Sequence, residues 1–298
     1  MSSKKRIINI GSRIMESSIV GPILMLSAAV FFTLMSTLVK LMPQGYTVWH
    51  LGFVRCFGGM VVLLIFFANK KNPYKGHNIP LLILRGATGA TAFFAVVTAV
   101  RILPISTAIV LFYAYPLFAA LFGIMIYKEK ISLNQAGCMA VLVAGVAVLF
   151  DFQLTGNVYG QIMAIAGAVF AGLTVTLIRS LMEKNGPVII YLYFCTVGTL
   201  LTLPKFIMEP IIPTSALEWA MISGIVVFSV LAQLLMNQGF FFCKGFEGGA
   251  YMSSETVFTA IVGILFLNDP VSWRFLVGGV LIVGSGFALN WIGKIKAK

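Results

Sequence analysis

An uncharged run of 23 residues, from Ile105 to Tyr127, restricts the fold of this chain more than any other feature. At about 1.5 Å of helical rise per residue, it can cross the roughly 30 Å hydrocarbon layer of a bilayer. Three charged residues, Lys128, Glu129 and Lys130, end it abruptly. The run therefore predicts a membrane-spanning helix rather than a helix buried in a soluble protein.

The composition extends this interpretation to the whole chain. Of 298 residues, 59% are hydrophobic and only 10% are charged, with a mean hydropathy of +0.99. Soluble domains carry about a quarter charged residues, so this chain could not cover a water-facing surface. We predict ten spans, near residues 19–41, 46–68, 80–100, 104–127, 132–150, 158–180, 187–208, 216–238, 247–267 and 272–293.

Lys and Arg are distributed unequally between the two sides of these spans. Fifteen fall on the side of the termini and four on the other side, while Arg55 and Arg85 lie within spans. Cytoplasmic loops of membrane proteins carry such an excess, so both termini are predicted to be cytoplasmic in a multi-pass protein of the cell inner membrane. The net charge of +12 then reflects topology, and no nucleic-acid partner is expected.

The chain also repeats itself. Gly21–Met42 aligns with Gly160–Leu181 at an offset of 139 residues, and Pro116–Ser132 aligns with Thr256–Ser272 at an offset of 140. Each copy holds five predicted spans, an odd number, so the second copy must enter the membrane inverted. The predicted fold is an all-α membrane protein of ten transmembrane helices in two inverted five-helix repeats. The repeats would occupy residues 1–150, including a basic cytoplasmic tail at 1–18, and residues 151–298.

Three features carry a resemblance to a known family: Arg55, the block RG…LPISTA…YPLFAALFG…YKEKIS from Arg85 to Ser132, and SSETVFTAIVGILFLNDPVS from Ser253 to Ser272. On these, the chain resembles the ten-helix EamA-type branch of the drug/metabolite transporter superfamily. The family pattern has Glu-Pro and Gly-Glu where this chain has Glu255-Thr256 and Asn268-Asp269. The resemblance implies that the fifth and tenth spans lie outside the cavity.

The family does not define the substrate, because its members carry amino acids, nucleotide sugars, S-adenosylmethionine, vitamins and drugs. The RGATGATAFFAVVTAV segment beginning at Arg85 resembles most the carriers of amino acids and of S-adenosylmethionine. The resemblance therefore implies a secondary-active transporter of a small polar metabolite that works by alternating access. Whether transport is proton-coupled or an exchange stays open.

Three ionisable residues, Arg55, Arg85 and Glu255, are predicted at membrane depth, where charge is expensive and usually functional. Arg55 suits a carboxylate or phosphate clamp, and Glu255 suits a cation or proton-coupling site. A structural ion pair between Arg55 and Glu255 is the alternative. Arg85 is shallower, and its side chain could equally reach the membrane surface.

Tyr113 and Tyr115 lie in the middle of the fourth span beside Pro116, away from the interfaces where tyrosines are usually found. Their hydroxyl groups need partners, so we predict a polar cavity there, with helix packing as the alternative. Ser254 and Phe94 complete the predicted substrate-binding set, although apolar packing suits Phe94 as well. The amides of Gln233, Asn237 and Gln238 are equally consistent with interface hydrogen bonds and with substrate contact.

Two other classes of function are alternatives to a transporter. A channel or facilitator would show repeated polar rings, which are not visible in the sequence. An intramembrane enzyme would need a clustered catalytic set, but the chain has two histidines and no GxSxG or HExxH motif. We expect no enzyme activity, no cofactor and no metal. The expected partners are a small-molecule substrate, the lipid bilayer and a coupled proton, with the chain as a monomer or homodimer.

Overall fold

In the computed structural model of this chain, residues 2–67, 72–103, 105–149, 157–266 and 273–295 are described. These residues form eleven α-helices, and no strand occurs among them. The helices are α1 (Ser2–Leu41), α2 (Val48–Phe67), α3 (Ile79–Ile102), α4 (Ile105–Phe112), α5 (Tyr115–Tyr127), α6 (Leu133–Leu149), α7 (Val158–Met208), α8 (Ala216–Phe242), α9 (Gly245–Met252), α10 (Ser254–Phe266) and α11 (Trp273–Ile295). Asn268, Asp269 and Ser272 of the sequence motifs lie outside the described residues.

Seven helical stretches of the described chain are long and apolar enough to cross a membrane. They are Ile19–Leu41, Val48–Phe67, Ile79–Ala99, Ala108–Tyr127, Val158–Met208, Ala216–Phe242 and Gly245–Phe266. Two shorter apolar helices, Leu133–Leu149 and Trp273–Leu289, accompany them. Large apolar side chains such as Ile65, Phe266 and Val280 are at least 67% exposed, as expected where the solvent is lipid rather than water.

The helix boundaries differ from the predicted spans in three places. First, α1 begins at Ser2, so the predicted tail at 1–18 continues the first helix. Second, the sixth and seventh predicted spans are two helices that meet without an intervening loop within α7, at Gly186, whose backbone is non-helical with φ 73° and ψ 166°. Only glycine adopts this backbone conformation readily, and Pro187 restarts the helix after it.

Third, the fourth and ninth predicted spans are each broken in the middle. The first break, at Tyr113 and Ala114, separates α4 from α5, and the second, at Ser253, separates α9 from α10. Pro116 supplies the physical reason for the first break, because proline lacks the N–H that would continue the helix. The sequence offers no comparable breaker at Ser253.

The kinked helix α7 lies at the centre of the packing. It contacts α2, α3, α5 and α8, while α1 packs on α8 and α6 packs on α11. A Cβ added at Gly172 of α7 would lie 2.8 Å from the backbone nitrogen of Ala119 in α5, so glycine is required for this approach. Likewise, a Cβ at Gly278 of α11 would lie 2.8 Å from the carbonyl oxygen of Gly145 in α6. Small residues thus allow close helix packing without a strong hydrophobic driving force.

Polar contacts tie the helices together at both ends of the bundle. At the end where α2 begins, the Tyr46 hydroxyl donates to Glu218 at 2.8 Å. The Glu218 carboxylate also accepts from the Thr214 backbone N–H at 3.0 Å. At the opposite end, Arg179 forms an ion pair with Glu129 at 2.5 Å. This second end of the bundle is called the Arg179 end.

Candidate functional site

A cavity of about 310 Å³ lies in the middle of the bundle, and we call it the central cavity. Four of the predicted site residues line it: Arg55, Tyr113, Tyr115 and Glu255. Its remaining wall is mainly apolar and aromatic, formed by Phe32, Met35, Ser36, Gly89, Ala92, Phe93, Val96, Phe112, Ala171, Thr174, Val175, Phe194, Met236 and Met252. An apolar cavity with a few converging polar groups is typical of small-molecule sites. Whether these four residues bind substrate stays a prediction.

The carboxylate of Glu255 lies in the first turn of α10, directly after the break at Ser253. The hydroxyl groups of Tyr113 and Ser36 are its hydrogen-bond partners. The positive end of the α10 dipole further favours a negative charge in this first turn. Glu255 is therefore held by hydroxyl groups and a helix terminus, and no ion pair in the described part of the chain includes it.

The guanidinium of Arg55 enters the cavity from α2. Its Nε donates to the Ser229 hydroxyl oxygen at 2.9 Å, and its Nη2 donates to the Gln233 amide oxygen at 3.4 Å. Three rings surround it, with centroids 5.6–5.8 Å from its Cζ: Phe32, Phe93 and Phe194. Both Arg55 and Glu255 are described, and no ion pair joins them, so the direct structural bridge is absent from this conformation.

The two helix breaks bring Tyr113, Tyr115 and Glu255 to the same depth. The ring centroids of Tyr113 and Tyr115 are 6.0 Å apart, and the Tyr115 hydroxyl donates to the Gly249 carbonyl oxygen of α9 at 3.0 Å. A break in a helix frees backbone groups at a depth where water is absent, so irregular backbone is tolerated there only beside protein or a cavity. The breaks thus lie beside the central cavity, which Tyr113, Tyr115 and Met252 line next to them.

The other three predicted site residues do not line the central cavity. Ser254 is buried in α10. Phe94 stacks on Trp49, with centroids 4.5 Å apart, in a separate cavity of about 260 Å³. Arg85 is buried beside Asn237. As the family resemblance implied, the described residues of α6 and α11 contribute nothing to the cavity lining.

Several residues of the site were missed or left undecided by sequence reasoning. Ser36 was missed, although Thr33, Ser36 and Thr37 make one part of α1 unusually polar for a span. The roles of Gln233 and Asn237 were left open by the sequence. In the structure, Gln233 accepts a hydrogen bond from Arg55 of α2, and Asn237 accepts one from Arg85 of α3. Phe194 carried no signal, since it is one of 25 phenylalanines in an apolar chain.

The central cavity continues toward the end where α2 begins. A second cavity, of about 380 Å³, shares Ser36, Arg55 and Phe93 with the central one and extends to Val48 and Leu51. The 260 Å³ cavity beside Trp49 follows it. Toward the Arg179 end, the lining of the central cavity stops at residues such as Gly89 and Phe194. These cavities thus extend from the centre of the bundle toward the end where α2 begins, and a separate cavity of about 360 Å³ lies at the Arg179 end.

Within the described part of the chain, no group of three or more His, Cys, Asp or Glu side chains could hold a metal ion. The four cysteines are unpaired thiols, and three of them are buried. The chemistry available in the central cavity is thus one cationic group, one carboxylate and two phenolic hydroxyl groups against aromatic walls. Such a set can bind a small polar molecule with groups of both charges.

A multi-pass helical protein with a polar site at mid-depth, built where helices break, has the architecture of a membrane transporter. The chain belongs to the EamA-like transporter family, whose model matches residues 19–151 and again residues 158–291. The family resemblance found in the sequence is thereby confirmed.

Individual relatives are more distant. The pseudopaline exporter CntI of Pseudomonas aeruginosa (strain UCBPP-PA14) is 25% identical over 271 residues, covering 91% of this chain and 95% of the relative. Human solute carrier family 35 member G1 is 24% identical over 276 residues, covering 87% of this chain and 75% of the relative. A solved crystal structure superposes with a TM-score of 0.77 at 16% identity, over 95% of this chain and 99% of its own, which shows a shared fold.

Proposed function

We propose that this chain is a secondary-active transporter that moves a small polar metabolite across the membrane by alternating access. The observation that carries the proposal is the convergence of Arg55, Glu255, Tyr113 and Tyr115 on the central cavity. One basic, one acidic and two hydroxyl groups suit an amino-acid-like or S-adenosylmethionine-like substrate, with its carboxylate on Arg55 and its amine on Glu255.

Many transporters that work by alternating access are built from two related halves, and we propose that the ten spans form two inverted repeats, at 1–150 and 151–298. The double match of one family model supports this. The helix breaks at Tyr113 and Ser253 also lie 140 residues apart, the offset of the repeat. Interrupted helices at corresponding positions of two halves mark the binding sites of many transporters.

The packing of the helices supports the same symmetry. Exchanging the halves converts the pairing of α1 with α8 into that of the first part of α7 with α3. Both pairings occur, the second through Gly167 of α7 against Ala92 and Val96 of α3. Two other pairings are unchanged by this exchange: α6 with α11, and α2 with the second part of α7. An in-plane two-fold axis would produce this set.

We propose a gate at the Arg179 end, beside the cavity of about 360 Å³ that Glu129 and Arg179 line. There the Arg179–Glu129 ion pair is accompanied by a hydrogen bond of 2.7 Å from the Tyr127 hydroxyl to Ser180. The Arg179 side chain is 40% exposed and that of Glu129 only 11%, so opening such a gate would separate a partly buried ion pair. Under the predicted topology this end is cytoplasmic.

The topology gives a separate expected result. Tags on either terminus should be cytoplasmic, because fifteen of the Lys and Arg residues fall on that side. A cysteine introduced near Gly156, which lies outside the described residues, should react with an impermeant maleimide added to intact cells. The background protein should lack its four native cysteines. A periplasmic C-terminus would contradict the ten-span topology.

Transport itself is tested by counterflow in proteoliposomes. An unlabelled amino acid, S-adenosylmethionine or nucleotide is loaded inside, and uptake of the same labelled compound is measured with and without a pH gradient. A transporter should accumulate label transiently above its equilibrium level, since the carrier exchanges one molecule per cycle. A channel would equilibrate the label without overshoot. Because one relative is an exporter, both vesicle orientations should be assayed.

A further inference from the structure

Arg85 of α3 is a buried cation without an adequate partner. Its side chain is 1% exposed, and its Nη2 donates to the Asn237 amide oxygen at the long distance of 3.4 Å. Its Nε and Nη1 have no hydrogen-bond partner, and no ion pair in the described part of the chain includes it. Because a buried charge is costly unless paired, Arg85 is poised to accept an anion.

Arg85 is also connected to the central cavity. Its Cζ lies 4.9 Å from the ring centroid of Phe194, and the same ring lies 5.8 Å from the Cζ of Arg55. Phe194 lines the cavity, as does Gly89, one turn along α3 from Arg85. A rotamer change of Phe194 would thus open a path from the cavity to Arg85.

A chain of amides joins the two arginines. Gln233 accepts from Arg55, and its own amide donates to the Asn237 oxygen that also accepts from Arg85, each at 3.4 Å. Hydrogen bonds of this length are weak, so a carboxylate would replace them readily. The amides of Gln233 and Asn237 therefore occupy the positions that an anionic group of the substrate would take.

The charges indicate the class of substrate. Arg55 and Arg85 contribute two positive charges and Glu255 one negative charge. We propose that Arg85 is a second anion-binding residue, and that the substrate carries two acidic groups and one basic nitrogen. This inference rests on the proposed function and deepens it, since the central cavity alone suits a simple zwitterion. Arg85 lies on the Arg179 side of the cavity, so the second acidic group engages it as access moves to that end.

Binding to the purified full-length protein in nanodiscs tests the inference. The probes are glutamate and 2-aminoadipate, which carry two carboxylates at different spacings, and glutamine, which carries one. At least one dicarboxylate should bind about tenfold more tightly than glutamine, the equivalent of one charge-assisted pair. Arg85→Gln should remove this preference and leave the affinity for glutamine unchanged.

Two further variants and a stability measurement complete the test. Arg85→Lys should retain part of the preference, and Arg274→Gln, an arginine packed on Trp273, should retain all of it. Without ligand, Arg85→Gln should unfold at the same temperature as the wild type or higher, because it removes an unpaired buried charge. A merely structural arginine would lower this temperature and weaken all probes alike.

The inference is overturned if neither dicarboxylate binds, if glutamine binds as tightly as both, or if Arg85→Gln weakens glutamine equally. Counterflow with a panel compound would still stand in each of these cases. A failure of this binding test therefore contradicts the proposed substrate class. Absence of counterflow for every compound would instead contradict the proposal that the chain is a transporter.

Discussion

Replacing Glu255 with glutamine is expected to abolish the pH dependence of transport and to leave the protein folded. Glutamine has the same shape, and its amide oxygen can still accept from Tyr113 and Ser36, the partners of the native carboxylate. It cannot attract a substrate amine, so substrate binding should weaken about ten- to a hundredfold, the loss of one charged hydrogen bond.

The sign of the pH effect follows from the proposed role. An ionised Glu255 binds the amine, so wild-type binding should strengthen as the pH rises and the carboxylate loses its proton. Glu255→Gln resembles the protonated form and should bind weakly at every pH. Counterflow rates from mildly acidic to mildly basic pH provide the measurement.

Glu209→Gln is the matched control, because that carboxylate pairs with Lys205 at a helix end, away from the central cavity. It should keep the wild-type profile. If Glu255→Gln transports with an unchanged pH profile, the coupling role of Glu255 is wrong.

Replacing Arg55 with lysine is expected to weaken the binding of carboxylate substrates about tenfold or more. The guanidinium bonds Ser229 and Gln233 through different nitrogens and lies among three aromatic rings. An ammonium keeps the charge but cannot present two parallel donors to a carboxylate. Binding of the panel compounds to the purified variant measures the loss, with Arg274→Lys as the control.

Exchanging the two charges separates substrate binding from a structural bridge. In the double variant Arg55→Glu with Glu255→Arg, a structural bridge would partly restore the stability lost in each single variant. We expect no such recovery, since Arg55 and Glu255 form no ion pair in this conformation and each has its own polar partners. Recovery of the unfolding temperature would identify the pair as structural.

Local physical chemistry explains what the sequence alone determined. Long uncharged runs predict spans because each apolar residue contributes to transfer into lipid independently of its neighbours in space. The same reasoning singled out Arg55 and Glu255, since a charge at span depth is costly wherever its helix packs. Pro116 likewise explains the break at Tyr113 and Ala114, because proline cannot continue the hydrogen-bond ladder of a helix. The family membership followed from the motifs that hold these residues.

Only the tertiary structure decided which groups meet. It turned Phe94 onto Trp49 instead of into the central cavity, brought Ser36 to Glu255, and placed Asn237 beside Arg85. The physical reason is that a membrane helix apolar on all sides carries little information about which face points inward. Its rotation is set by close approaches such as Gly172 on Ala119, which depend on neighbours distant in the chain. The partners of a buried polar group are therefore a property of the packed bundle.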